Sequence, residues 1–157
     1  MRIAMMTTIP THAVCSSLVV YHVRRLLPVA AATAWLDCSE ERVRELMQSG
    51  ELLAWDIRVP GATRAYERVY APCVLCLAGG RKETFEADAA VESLLPRLEA
   101  SLGLSTLHGR LNCSVQHVRA LGEAGCWGMV TEGRPGPGGS AKVSRAEVVK
   151  WLRIRGI

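Results

Sequence analysis

Side chains able to hydrogen-bond nucleobase edges stand at two places in this chain. The first holds Arg42, Arg44 and Gln48; the second holds Ser114, Gln116, His117 and Arg119. Gln116 has the two-pronged amide that suits adenine and Arg119 the fork that suits guanine. The small Ala120 beside them would let a backbone come close. In the first set Glu40, Glu41 and Glu45 are mixed with the basic residues, and three carboxylates would mostly repel a phosphate-lined groove. Their plainer role is to favour the positive end of a helix dipole. Arg58, Arg64 and Arg68, and later Arg134 and Lys142, could grip phosphate. Such contacts add salt-sensitive affinity without sequence preference.

Other chemistries find less support. Cys73-x-x-Cys76 offers two thiols with metal-ligand spacing, but no second pair matches it, and a tetrahedral site needs four ligands. Three residues apart on a helix, the two thiols are expected to pack against a core. The histidines at positions 12, 22, 108 and 117 are not paired as in metalloenzymes, and the glycines around Gly136 lack the Gly-Lys-Ser/Thr ending of a phosphate loop. Nothing assembles a nucleophile, a base and an oxyanion site. The chain reads as a non-enzyme with no metal or cofactor.

The two sets of base-reading residues belong to an internal repeat. Leu36-Asp37-Cys38-Ser39, then Val43-Arg44-x-Leu46 and Gly50, recurs 75 positions later as Leu111-Asn112-Cys113-Ser114, Val118-Arg119-x-Leu121 and Gly125. A turn, a serine cap, the apolar stripe of a short helix and a terminating glycine make the pattern of a helix-turn-helix.

The surrounding elements repeat in the same order. Apolar spacing predicts a helix over 14–27, a second over 30–36, and a third over 40–49 that buries Val43, Leu46 and Met47. In the alternating segment Leu53–Val59, Leu53, Trp55, Ile57 and Val59 share one face. Pro60-Gly61 turns the chain and Arg64–Tyr70 returns as the partner strand. A helix opens at Ala71-Pro72 and stops at Gly79-Gly80. In the second copy, Val91, Leu94, Leu95, Leu98 and Leu102 predict an amphipathic helix over 89–102, kinked by Pro96. Helices over 104–111 and 115–124 follow. A hairpin then starts at Trp127–Val130, with its tip over 133–140, and Ser144-Arg145-Ala146-Glu147 reads as a capping box for a last helix to Ile154. The expected fold is mainly α with small β-hairpin wings: two tandem winged helix-turn-helix repeats over 14–80 and 82–157, after a flexible start over 1–13.

These residues resemble the winged helix-turn-helix modules of the excisionase and MerR-like DNA-binding group. Such modules read as an alanine-rich helix, Leu-Gly-Val-Ser, a helix with a Val-x-x-Leu core and a glycine. A basic hairpin follows, then a helix that ends near Trp-Leu. Ala30–Gly50 with Val69 matches in the first copy. In the second, Leu111–Ser114, Val118, Leu121, Gly125, Lys142–Val149 and Trp151-Leu152 match. The turn glycine is replaced by Asp37 and Asn112, both tolerant of a left-handed backbone, and the family's valine by Cys38 and Cys113, read as small buried hydrophobes. The resemblance implies that the second helix of each module enters the major groove and that the wing touches phosphate or the minor groove.

Charge separates the two copies. Lys and Arg against Asp and Glu give +3 over residues 1–26, −2 over 27–80, −3 over 82–103 and +5 over 104–157. A DNA backbone would be drawn first to the second copy. No secretory leader is evident, because His22, Arg24 and Arg25 break the apolar stretch over 13–32. The chain therefore reads as soluble and cytoplasmic, off the membrane, with its six cysteines reduced. The expected partner is double-stranded DNA, in a role of transcription regulation or excision. The alternative is a protein-interaction scaffold or phage-type adaptor, with a protein partner on the first repeat and at most the second on DNA. The stripe over 91–102 could pair two chains as a homodimer, although packing the repeats together is its simpler use.

Overall fold

The computed structural model describes residues 24–132 and 140–157, which form seven helices and two small antiparallel three-stranded sheets. The first unit runs β1 (Leu26–Pro28), α1 (Val29–Leu36), α2 (Glu40–Gln48), β2 (Ala54–Asp56), β3 (Glu67–Tyr70) and α3 (Ala71–Ala78). After α4 (Ala87–Leu94), the second runs β4 (Ser101–Gly103), α5 (Leu104–Leu111), α6 (Val115–Glu123), β5 (Met129–Glu132), β6 (Ser140–Ser144) and α7 (Arg145–Arg153). Both sheets have the strand before the helix pair on one side of the central strand and the hairpin partner on the other, in the orders β1-β3-β2 and β4-β6-β5.

Local chemistry explains the two helix pairs. Asp37 and Asn112 end α1 and α5 with φ of 49° and 50°, the left-handed backbone expected of them. Ser39 accepts the Arg42 N–H at 3.2 Å and Ser114 the His117 N–H at 3.0 Å, so each serine caps the next helix. Gly50 and Gly125, both at φ 79°, let the chain leave those helices. Val43, Leu46 and Met47 are buried on α2, and Val118 and Leu121 on α6.

Four expectations are corrected. The helix over 14–27 lies outside the described residues up to position 23, and Leu26 and Leu27 belong to a strand, paired with Tyr70 and Val69. The amphipathic helix over 89–102 ends at Leu94. Pro96 forces Leu95 into extended backbone (φ −113°, ψ 149°), Leu98 is fully exposed, and Leu102 is buried in β4 opposite Val143. The capping box at Ser144 does not form. Ser144 is paired with Ser101 and makes no side-chain cap, while Glu147 accepts the Gly128 N–H at 2.8 Å. The strands of the first hairpin are also shorter than the alternation suggests. Of the expected tip over 133–140, Ser140 belongs to β6, while positions 133–139 and the start over 1–13 lie outside the described residues.

The duplication extends further than its sequence signature. Each element from β1 to β2 has its counterpart 75 positions on, as Leu26–Pro28 and Ser101–Gly103 show. The spacing then drops to 74, because Ala54 faces Val69 across the first hairpin whereas Met129 faces Val143 across the second. Buried residues of both units form one continuous core, from Leu26, Val43 and Val69 through Val91 and Leu94 to Leu121, Val143 and Leu152. A fully buried leucine of this kind contributes about 1.5–3 kcal/mol. At one equivalent pair the two units exchange sizes. The first has Met47 on the helix and Ala54 on the strand; the second has Gly122 and Met129. A Cβ on Gly122 would stand only 2.6 Å from the Met129 sulfur.

Candidate nucleic-acid interface

On α6 the apolar stripe faces the core, leaving Gln116, Arg119 and Glu123 exposed and Ala120 half-buried. The guanidinium of Arg119 has no ion-pair partner among the described residues. Its counterpart on α2, Arg44, has two, Glu40 at 3.0 Å and Glu67 at 3.2 Å. The difference is written at the equivalent positions, where Glu40 corresponds to Val115 and Glu67 to Ala141. Both carboxylates that hold Arg44 are therefore missing around Arg119.

The rest of the α2 surface is likewise self-neutralised. Arg42 pairs with Glu45 at 2.8 Å. Arg42 donates to Glu45, and Arg44 to Glu67 and Glu40, and these bonds push both guanidiniums above their ordinary pKa range. Gln48 is exposed, as are Glu40, Glu41 and Glu45. An incoming phosphate would meet more carboxylate than free cation here.

Between these two helices stands the first hairpin. Its side facing α2 is held by the Glu67–Arg44 pair. On the other side Tyr66 stacks on His117 of α6, with ring centroids 4.2 Å apart and planes 15° from parallel. His117 Nε2 lies 2.6 Å from the Ile57 carbonyl oxygen. Arg68 donates through Nε to the Asn112 carbonyl at 2.9 Å, and its guanidinium carbon lies 4.3 Å from the centre of the Tyr66 ring. Asn112 in turn donates through Nδ2 to the Leu26 carbonyl at 3.0 Å. His117 and Arg68, both candidates for DNA contact, thus join the two units. Arg58 is occupied by Asp56 at 2.6 Å. Arg64 is exposed on the loop between β2 and β3, with no ion-pair partner among the described residues. It borders a groove of ≈ 640 Å³ that also includes Glu40, Arg44 and Tyr66.

Further contacts fix the units against each other. The outer edge of β2 is covered by the chain's last residues: Asp56 N–H donates to the Arg155 carbonyl at 3.1 Å and Ile157 N–H to the Ala54 carbonyl at 3.0 Å. Pairing this edge removes an exposed strand from solvent. The Tyr70 and Ser93 hydroxyls lie 2.9 Å apart, tying β3 to α4. Arg145 and Arg153 bind Glu92 at 2.8 and 3.3 Å, tying α4 to α7.

The remaining candidates are placed as follows. Ser114 is exposed and committed to capping α6. Lys142 is half-buried in β6, opposite Gly103 and Val130. Arg134 lies outside the described residues. Cys73 and Cys76 are buried on α3, and burial raises both thiols above their ordinary pKa. Burial pushes the Cys113 thiol up to about 11, as befits a packing residue. Sequence reasoning missed Tyr66 and Glu67, which anchor the hairpin on either side. Their only sequence signal is that the repeat does not preserve them, having Ser140 and Ala141 instead.

No helix among the described residues is long and apolar enough to cross a membrane. Comparison of the chain with protein-family models, with curated proteins and with solved structures gives no match.

Proposed function

We propose that this chain is a small DNA-binding regulatory protein of two tandem winged helix-turn-helix units, in which α6 of the second is the recognition helix. One observation carries the reading: Arg119 and Gln116 stand exposed on one face of a capped helix, while the equivalent Arg44 is locked between two carboxylates. The charge distribution points the same way, with +5 over residues 104–157 against −2 over 27–80. Arg119 would meet guanine and Gln116 adenine, each good pair discriminating by about 1–3 kcal/mol. The acidic face of α2 suits a protein-facing or purely structural first unit, so the competing reading is a scaffold with no DNA ligand.

A salt titration of binding to random duplex, followed by selection of bound sequences, tests this. Wild-type protein should bind with an affinity that falls steeply with salt. Arg119→Ala should relax base preference at one position, whereas Arg44→Ala should leave preference unaltered. Absence of binding at low salt would favour the scaffold, and unchanged preference in Arg119→Ala would remove α6 as the reader.

A further inference from the structure

We infer that the first unit's hairpin serves as a wing for the second unit's recognition helix, so that Arg64 and α6 grip one continuous stretch of duplex. This rests on the reading of α6 as the DNA-facing helix, and it assigns the first unit a task other than reading a second half-site.

The hairpin is joined to α6 at its first turn. His117 reaches the Ile57 carbonyl and stacks on Tyr66, and the Ile57 N–H donates to the Tyr66 carbonyl at 3.0 Å. These two residues form the last rung before the loop, and both are bound to the same histidine. The loop carrying Arg64 therefore projects from a rung fixed beside Gln116, the neighbour of His117. Arg64 is two residues from Tyr66, no more than about 7 Å away along the backbone. Arg68 anchors the same hairpin to Asn112, in the turn that leads into α6.

Charge chooses which helix the hairpin serves. Toward α2 it presents Glu67, engaged with Arg44, and beyond that Glu40. Toward α6 it meets no carboxylate at the positions equivalent to Glu40, Glu41 and Glu45, which are Val115, Gln116 and Ala120. Arg64 also borders the groove beside Glu40 and Arg44, but those acids oppose a phosphate backbone laid along α2, so the backbone left for Arg64 to grip is the one following α6. Arg64 is the proposed phosphate contact; Tyr66, Arg68 and His117 are positioning residues that hold its loop in place.

The test measures salt dependence, base preference and phosphate interference on the sequence selected by the wild-type chain. Arg64→Ala should lower the slope of log affinity against log salt by about 0.9, the value of one phosphate on duplex DNA, with base preference retained. The phosphate whose ethylation ceases to interfere should lie within about half a helical turn of the base pair relaxed by Arg119→Ala. Tyr66→Ala should reproduce the slope change, and Tyr66→Phe, which keeps the stacking ring, should not. The selected site should be a single block. If Tyr66→Ala does not fold, Arg64→Ala and the interference map decide alone. An unchanged slope in Arg64→Ala, or two half-sites about 10 base pairs apart, one responding to Arg44→Ala, would overturn the shared wing while leaving α6 a reader. No DNA binding by the wild-type chain would overturn both.

Discussion

Tyr66 of the first unit and His117 of the second stack face to face, with ring centroids 4.2 Å apart, and the same imidazole lies 2.6 Å from the Ile57 carbonyl. An aromatic hairpin residue of one repeat thus rests on the helix that carries Gln116 and Arg119 in the other. With one continuous core beneath it, this contact makes the pair of units a single mechanical body. His117→Ala should lower unfolding free energy by about 2 kcal/mol, from a lost stack and a lost hydrogen bond. Wild-type protein should unfold in one transition, with circular dichroism and tryptophan fluorescence coincident. Two separated transitions would show that the units fold independently.

The left-handed residues Asp37 and Asn112 share a backbone geometry but differ in what their side chains do. Asp37 is exposed, whereas Asn112 donates to the Leu26 carbonyl across the unit boundary. Asp37→Gly should be neutral or stabilise by about 0.5 kcal/mol, relief of left-handed strain slightly exceeding the gain in unfolded-chain entropy. Asn112→Gly should destabilise by about 1 kcal/mol through the lost bond. Urea midpoints of the two variants should move in opposite directions or differ by that amount. Equal shifts would mean that the Asn112 amide contributes nothing.

The exchanged pair Met47/Ala54 and Gly122/Met129 predicts strong coupling. Gly122→Met alone should cost about 1–3 kcal/mol by overpacking against Met129. Met129→Ala alone should cost about 2 kcal/mol by leaving a gap. Together they recreate the arrangement of the first unit, and the double variant should be more stable than the sum of the singles by at least about 1 kcal/mol. Additive losses in a double-mutant cycle would show that the two positions do not share one space.

Asp56 predicts a specific acid sensitivity. Burial by itself would raise its carboxyl. The N–H groups of Tyr66 at 3.0 Å and Arg58 at 3.1 Å, with the Arg58 guanidinium at 2.6 Å, outweigh burial and hold it below its ordinary 3.8. A depressed carboxyl contributes its full stability above the unfolded pKa and loses it as pH falls through the folded one. Asp56→Asn should therefore lower stability by about 1 kcal/mol at pH 7, and by progressively less below about pH 4. A stability gap that stays constant down to pH 2 would contradict this linkage.

Much of the local architecture was legible in the residues alone, because it depends on neighbours within one helical turn. Ser39 and Ser114 cap the helices they precede, Asp37 and Asn112 turn left-handed, Gly50 and Gly125 release the chain, and α5 spans the expected residues. The short strands β1 and β4 were not legible. Three residues carry little periodic signal, and their hydrogen-bond partners, around Val69 and Val143, lie some forty positions away. Leu98 looked like part of a buried stripe because helical spacing was carried past Pro96, where a helix could not continue.

The candidate site divides along the same line. Residue type and spacing were enough to mark Arg44 and Arg119 as equivalent members of a repeated helix, since the caps and stripes that define that helix are local. That Arg44 is captured by Glu40 and Glu67, while Arg119 has no ion-pair partner among the described residues, emerged only when the hairpin was folded against the helix. Glu67 is twenty-three positions from Arg44, and no local pattern joins them. The same holds for His117, whose partners Ile57 and Tyr66 come from the other repeat. A charge or a ring acquires its task from what long-range packing brings beside it, and only the tertiary structure decides that.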